Sequence, residues 1–232
     1  MKNVKKSAVL KELLESVDEK YADFNARLIP TLERSRILGV RMPILRKMAK
    51  QKERELVDGG FLAELPHDYQ EENMLQAIVV SDLCDFERCA KEIEQFLPFV
   101  DNWSVCDALS PKVMSEYKRE TLAKIDEWSK SEQVYTVRFA VSLLMQFFLD
   151  EDSCEEYLVR VARIRHENYY VKMMQAWYFA TALAKHWGEI ILYLERKDLD
   201  VFVHNKTIQK AIESRRISME QKQYLRGLKI KE

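Results

Sequence analysis

The stretch DNWSVCDALSPKV (101–113) sets an indole, Trp103, four residues ahead of a carboxylate, Asp107, among apolar neighbours and with no basic residue nearby before Lys112. In a helix, positions i and i+4 share a face, so ring and carboxylate would stand side by side as one wall of a site. Two further residues are exceptions of the same kind inside apolar helices. Arg138 sits in VYTVRFAVSLLMQFF, where an unpaired guanidinium is costly. It therefore needs a partner: Asp107, a phosphate, or charge that develops in a reaction. Trp177 lies in YYVKMMQAWYFATALAKHW, with Lys172 five residues ahead of it and Tyr169, Tyr170, Tyr178 and Trp187 nearby. Each of these residues has a plainer reading. Aromatic residues in helices, Trp128 and Trp187 included, commonly serve core packing, and Asp107 with Arg138 would also suit a buried structural ion pair.

Other chemistries lack their parts. His67, His166, His186 and His204 lie far apart and form no H-E-x-x-H or Cys/His cluster, so no metal is expected. There is no G-x-x-x-x-G-K-[ST] loop, G-x-G-x-x-G or G-x-S-x-G elbow, which leaves nucleotide hydrolysis, dinucleotide redox chemistry and ordinary esterase chemistry without their machinery, and no cofactor is expected. The four cysteines, Cys84, Cys89, Cys106 and Cys154, show no C-x-x-C pairing, and the segment MKNVKKSAVLKELLESVDEKY lacks the uninterrupted apolar core of a secretory signal. Free, mostly buried thiols in a reducing cytoplasm are expected. The longest apolar run, 137–149, is interrupted by Arg138, Ser142 and Gln146 and falls short of a bilayer span, so no membrane segment is expected.

The elements that must position these residues read as helices. The apolar spacing is close to 3.6 almost everywhere, as in VLKELLESV and in CAKEIEQFLPFV (89–100), and no segment reads as a strand. Helices are predicted over 5–17, 19–28, 43–57, 70–81, 85–97, 100–108, 111–129, 132–149, 152–165, 167–187, 189–196, 204–214 and 218–227. Pro43, Pro66, Pro98 and Pro111 punctuate the first half, and no proline follows Pro111, so the second half should be almost wholly helical. At 232 residues and 47% hydrophobic content the chain can bury a core, and the expectation is a single domain over 1–232. Many helices without a long linker suggest a globular bundle or a solenoid of helix pairs. A pair spacing near 35–45 residues falls in the HEAT and armadillo range, and the expected fold is all-α, a HEAT-like, armadillo-type repeat solenoid with a concave basic face.

A net charge of −1 gives no global reason for a polyanionic partner, but the charges are uneven. Residues 27–54 hold nine Lys or Arg against two Glu, and residues 204–232 hold eight against three acids. Taken singly, either run reads as a solvated helix face.

In combination, the order Trp103, Asp107, Arg138, Trp177 resembles the AlkD-like DNA alkylation repair family of DNA glycosylases. The segment GVRMPILRKMAK (39–50) is similar to that family's G-[VI]-R-x-P-x-L-R, N-W-x-x-x-D stands at 102–107, and YVKMMQAW (170–177) is similar to its [FY]-V-[RK]-K-x-x-x-W. The resemblance covers nearly the whole chain and departs at VKMM, where one cation stands in place of two. It implies that Trp103 and Trp177 are the paired aromatics of a cleft, Asp107 the catalytic carboxylate and Arg138 an arginine beside DNA.

The resemblance further implies removal of cationic N3- and N7-alkylpurines from duplex DNA, with Asp107 stabilising the sugar cation and positioning water while the lesion stays stacked in the duplex. The expected partner is double-stranded DNA with alkylated bases, bound by a monomer, and Arg41, Arg46, Lys47, Lys172, Lys206 and Lys210 are the candidates for phosphate contact. Two rivals have different signatures. A non-catalytic DNA-structure-binding protein would have lost the carboxylate or an indole, and both are present. A protein-interaction scaffold would line its face with acidic or apolar residues, which the basic clusters oppose.

Overall fold

The computed structural model describes residues 8–150 and 154–231. The parts of the predicted helices that fall on 5–7 and on 152–153 lie outside these residues. The chain, expected as one domain, packs as two compact units that meet in sequence at Lys118 and Arg119. The first contains α1 (Ala8–Leu14), α2 (Glu19–Leu28), α3 (Met42–Gln51), α4 (Glu53–Asp58), α5 (Gln70–Ser81), α6 (Phe86–Phe96), α7 (Trp103–Ala108) and α8 (Val113–Glu116). The second contains α9 (Lys118–Trp128, opening at the boundary), α10 (Val134–Leu143), α11 (Cys154–Arg163), α12 (Tyr169–Lys185), α13 (Trp187–Glu195), α14 (Val201–Glu213) and α15 (Met219–Gly227). No strand occurs among the described residues, so the fold is all-α as expected.

Within each unit, helices pack on their next-but-one neighbours: α3 on α5 and α5 on α7 in the first, α10 on α12 and α12 on α14 in the second. That is the packing of stacked helix pairs, in which alternate helices form one layer. The two middle helices bury more than a single stripe. Every residue of α5 from Gln70 to Val80 is buried, and α12 buries Val171, Met174, Tyr178, Phe179, Ala182 and Leu183 against its neighbours. Each large side chain so covered stabilises the unit by about 1.5–3 kcal/mol. Outer helices carry one apolar stripe instead: α6 turns Phe86, Cys89, Ala90, Ile93 and Phe96 inward, and Asp85 caps it by accepting from Arg88 N at 2.7 Å.

The structure corrects several predicted boundaries. The segment 43–57 breaks at Lys52 (φ −118°, ψ 18°), whose ammonium is tied to Glu12 of α1. The segment 111–129 breaks at Tyr117 (φ −108°, ψ 61°), whose ring stacks on Phe86 at 4.9 Å. Helix α10 ends in a π-helical turn, Leu144–Phe148, and short 3₁₀ turns at Arg34–Arg36 and Phe61–Ala63 were not predicted. Apolar periodicity runs through all of these places, so it carries no mark of the break.

Candidate functional site

Helix α7 is set in place before it begins. Arg36 Nη1 donates to Asp101 Oδ2 at 2.7 Å and its Nε donates to the Asp68 carbonyl at 3.0 Å, which joins the loops ahead of α5 and α7. Asn102 Nδ2 donates to Asp101 Oδ1 at 2.9 Å, and Asn102 Oδ1 accepts from Ser104 N and Val105 N at 3.0 and 3.1 Å, so Asn102 is the N-cap. Val105 and Cys106 turn into the core, which fixes the rotation of the helix and leaves Trp103, Ser104, Asp107 and Ala108 half-buried on the other face. Trp103 and Asp107 thus stand one turn apart on one face, as the sequence predicts. The indole is held: Nε1 donates to the Leu28 carbonyl at the end of α2 at 3.1 Å, and the ring packs against the cluster of Ala22, Ile29, Leu32 and Ile37. A half-buried carboxylate beside an aromatic wall is screened less by water than an exposed one and attracts a cation more strongly.

The motif segment GVR precedes α3 and has a structural logic of its own. Gly39 has φ +81°, and a Cβ there would lie 2.2 Å from the Asp18 carbonyl and 2.7 Å from Ala22 N, so α2 runs against the glycine itself. The Leu38 and Gly39 amides donate to Glu71 Oε2 and Oε1 at 3.0 and 2.7 Å. Burial pushes the Glu71 carboxyl above the usual range, and the Leu38, Gly39 and Val40 amides pull it back. Arg41 pairs with Asp18 at 2.8 Å and lies 4.6 Å from the centre of the Tyr21 ring. Arg46 and Lys47 follow on α3 with exposed side chains.

In the second unit Arg138 is 5% exposed, and its Nη1 donates to the Tyr170 carbonyl in the first turn of α12 at 2.8 Å. Trp177, on the same helix, is 41% exposed, and Lys210 Nζ of α14 lies 5.7 Å from its ring centre. Trp177 forms one wall of a cleft with Ala180, Thr181, Lys210, Ser214 and Arg216. Trp128, by contrast, is buried with its ring 5.5 Å from Phe139, a core residue. Lys172 is held between Glu167 at 2.9 Å and Asp200 at 3.4 Å, and these two carboxylates hold its ammonium above the usual lysine range, the Glu167 hydrogen bond most of all. Lys206 lies 2.9 Å from Gln209 Oε1 and 5.9 Å from the Phe202 ring centre.

Among the sequence candidates, the first unit brings Trp103 and Asp107 onto one face and the second brings Trp177 and Lys210 into contact. Lys172 and Arg41 are engaged by carboxylates, whereas Arg46 and Lys47 of α3 are exposed. Sequence reasoning missed Arg36, Glu71 and Arg216. Glu71 sits in QEENM, where acids read as ordinary first-turn residues of a helix. Of the thiols, Cys84 is exposed while Cys89 and Cys106 are buried, and the Cys154 side chain lies outside the described ones. Among the described residues no group of three or more His, Cys, Asp or Glu could hold a metal, and no helix is long and apolar enough to cross a membrane. A family model described as DNA alkylation repair enzyme matches residues 9–212. No curated protein matches the chain.

Proposed function

The chain belongs to the DNA alkylation repair enzyme family, and from that premise we propose that it is a DNA glycosylase that hydrolyses the N-glycosidic bond of cationic N3- and N7-alkylated purines in duplex DNA. The observation that carries this reading is Asp107, half-buried one turn from an indole that its own hydrogen bond to Leu28 holds in position. An alkylated purine is already cationic and leaves as a neutral base, so the enzyme has little need to protonate it. As the C1′–N bond lengthens, positive charge grows on the sugar, and a fixed carboxylate attracts that charge more in the transition state than in the ground state. Asp107 also orients the water that attacks C1′ and accepts its proton as a weak general base.

Trp103 packs on the deoxyribose and attracts the cationic lesion through its ring face, an interaction of about 0.5–2 kcal/mol, and the resemblance gives Trp177 the same role. The duplex is held by its backbone, and the lesion stays in the stack instead of being flipped into a pocket. Arg46, Lys47, Lys206 and Lys210 supply the phosphate contacts, with smaller shares from Arg41 and Lys172, and the resemblance assigns Arg138 to the same backbone. The reading takes the protein as a monomer without a cofactor.

The test is release of free base from a duplex carrying one N7-methylguanine, under single-turnover conditions so that a tightly held abasic product does not mask the chemistry. Release above the spontaneous rate is the expected result. Tight, salt-sensitive binding without release would instead make the protein a non-catalytic reader of DNA structure, and neither binding nor release would leave a protein scaffold.

A further inference from the structure

A glutamate 2% exposed inside an all-α core is costly unless it does something specific. The first turn of α5 carries two successive acids. Glu72 folds back to accept from Tyr69 N at 3.0 Å and closes its own helix end. Glu71 points the other way and accepts, one oxygen each, from the successive amides of Leu38 and Gly39. Those amides belong to a segment with no helix of its own, held beside α2 by the bond from Asp18 N to the Leu38 carbonyl at 3.3 Å. The segment leads within two residues to Arg41 and then to α3, where Pro43 starts the helix and Arg46 and Lys47 stand exposed. Helix α5 also packs on α7, with Ser104 Oγ 3.9 Å from Met74 Sδ.

We propose that Glu71 is a positioning residue: its buried carboxylate clamps the Leu38–Gly39 backbone and thereby fixes the basic lip formed by Arg41, Arg46 and Lys47 relative to the α7 face that bears Trp103 and Asp107. The inference rests on the glycosylase reading for the role of the lip, but the clamp is read independently through DNA binding. An ionised carboxylate offers a separate acceptor oxygen to each of two adjacent N–H groups and carries no donor of its own. Glutamine keeps the volume but turns an NH₂ donor toward one of them, leaving a buried amide unmet.

The experiment compares wild type with Glu71→Gln on a duplex with one N7-methylguanine and on the same duplex undamaged. It records the DNA concentration for half-maximal single-turnover release, the plateau rate, and the slope of log affinity against log salt. A loosened lip raises the half-maximal concentration by about tenfold and reduces the salt slope by about one to two phosphate contacts, each contributing roughly 0.9 to the slope. The plateau rate stays within about twofold. On an Arg46→Ala/Lys47→Ala background Glu71→Gln has a smaller further effect, because two of the three contacts it displaces are already gone.

A variant with a lower melting temperature but wild-type affinity and salt slope overturns the proposal, since Glu71 would then serve stability alone. So does full additivity with the double variant. Should Glu71→Gln fail to fold, Glu71→Asp, which keeps the charge but is one methylene too short to reach both amides, decides by the same readouts. If wild type releases no base, the glycosylase reading fails while affinity and salt slope on undamaged duplex still decide the clamp.

Discussion

Replacing Gly39 by alanine should be far more damaging than the same change at Gly60, and the two sites together isolate the cause. Both glycines hold positive φ, +81° and +90°, so both variants pay a left-handed backbone cost of about 1–2 kcal/mol. Both also gain a similar entropic term from a stiffer unfolded chain, about 0.4–1 kcal/mol. They differ in surroundings. A Cβ at Gly60 meets nothing within 4 Å, while at Gly39 it would sit 2.2 Å from the Asp18 carbonyl oxygen and 2.7 Å from Ala22 N. These are backbone atoms of the first turn of α2, so relief requires shifting the helix whose far end holds Trp103. An insertion of this kind costs about 1–3 kcal/mol at other well-packed sites, and contacts this close to backbone place it at the upper end. The expected destabilisation is therefore about 4 kcal/mol for Gly39→Ala against about 1 kcal/mol for Gly60→Ala. Urea titrations of both variants and wild type, followed by Trp fluorescence and far-UV dichroism, give the two differences. Equal losses at the two sites, or a loss below about 1 kcal/mol at Gly39, would refute the close approach of α2 on which the geometry of the GVR segment rests.

Three further outcomes follow from individual contacts. Trp103→Phe keeps the packing on Ala22, Ile29 and Leu32 but removes the donor to Leu28, so it should cost about 1 kcal/mol and slow base release less than Trp103→Ala; equal effects would mean that the ring itself is not used. His67 is buried with Nε2 2.6 Å from Gln76 Oε1, and burial lowers its pKa below 6.5. The unfolded chain therefore binds the proton more readily, and the stability from the neutral ring is present above about pH 6.5 and is lost as pH falls toward the depressed value. Urea midpoints between pH 7.5 and 5.5 should fall less in His67→Gln than in wild type, and identical slopes would contradict this. Burial pushes the Cys89 thiol up to about 12, so native-state alkylation at pH 8 read by mass spectrometry should modify exposed Cys84 and spare Cys89 and Cys106.

Sequence periodicity located the helices that carry strong end signals and left the broken ones unmarked. Helices α2 and α5 run over the predicted 19–28 and 70–81, because Asp18 caps the first and paired acids open the second. The breaks at Lys52 and Tyr117 depend on contacts with Glu12 and Phe86, which are 40 and 31 residues away and leave no local mark. At the site, the shared face of Trp103 and Asp107 was legible because one helical turn settles it. The pairing of Lys172 was not, since one of its partners, Asp200, comes from the cap of another helix. Gly39 was visible as part of a family-like motif, but its reason, the approach of α2 and the clamp by Glu71, exists only in three dimensions.

The proposed role of the Asp107 carboxylate is to stabilise charge formed in the reaction. It is tested most directly by Asp107→Asn, which keeps shape and removes the charge, in single-turnover release of N7-methylguanine at saturating protein with duplex affinity measured alongside. The rate should fall by about 10²–10³-fold, the scale of a lost electrostatic contact to the transition state, with affinity within a few-fold of wild type. A variant that releases base at the wild-type rate would contradict it.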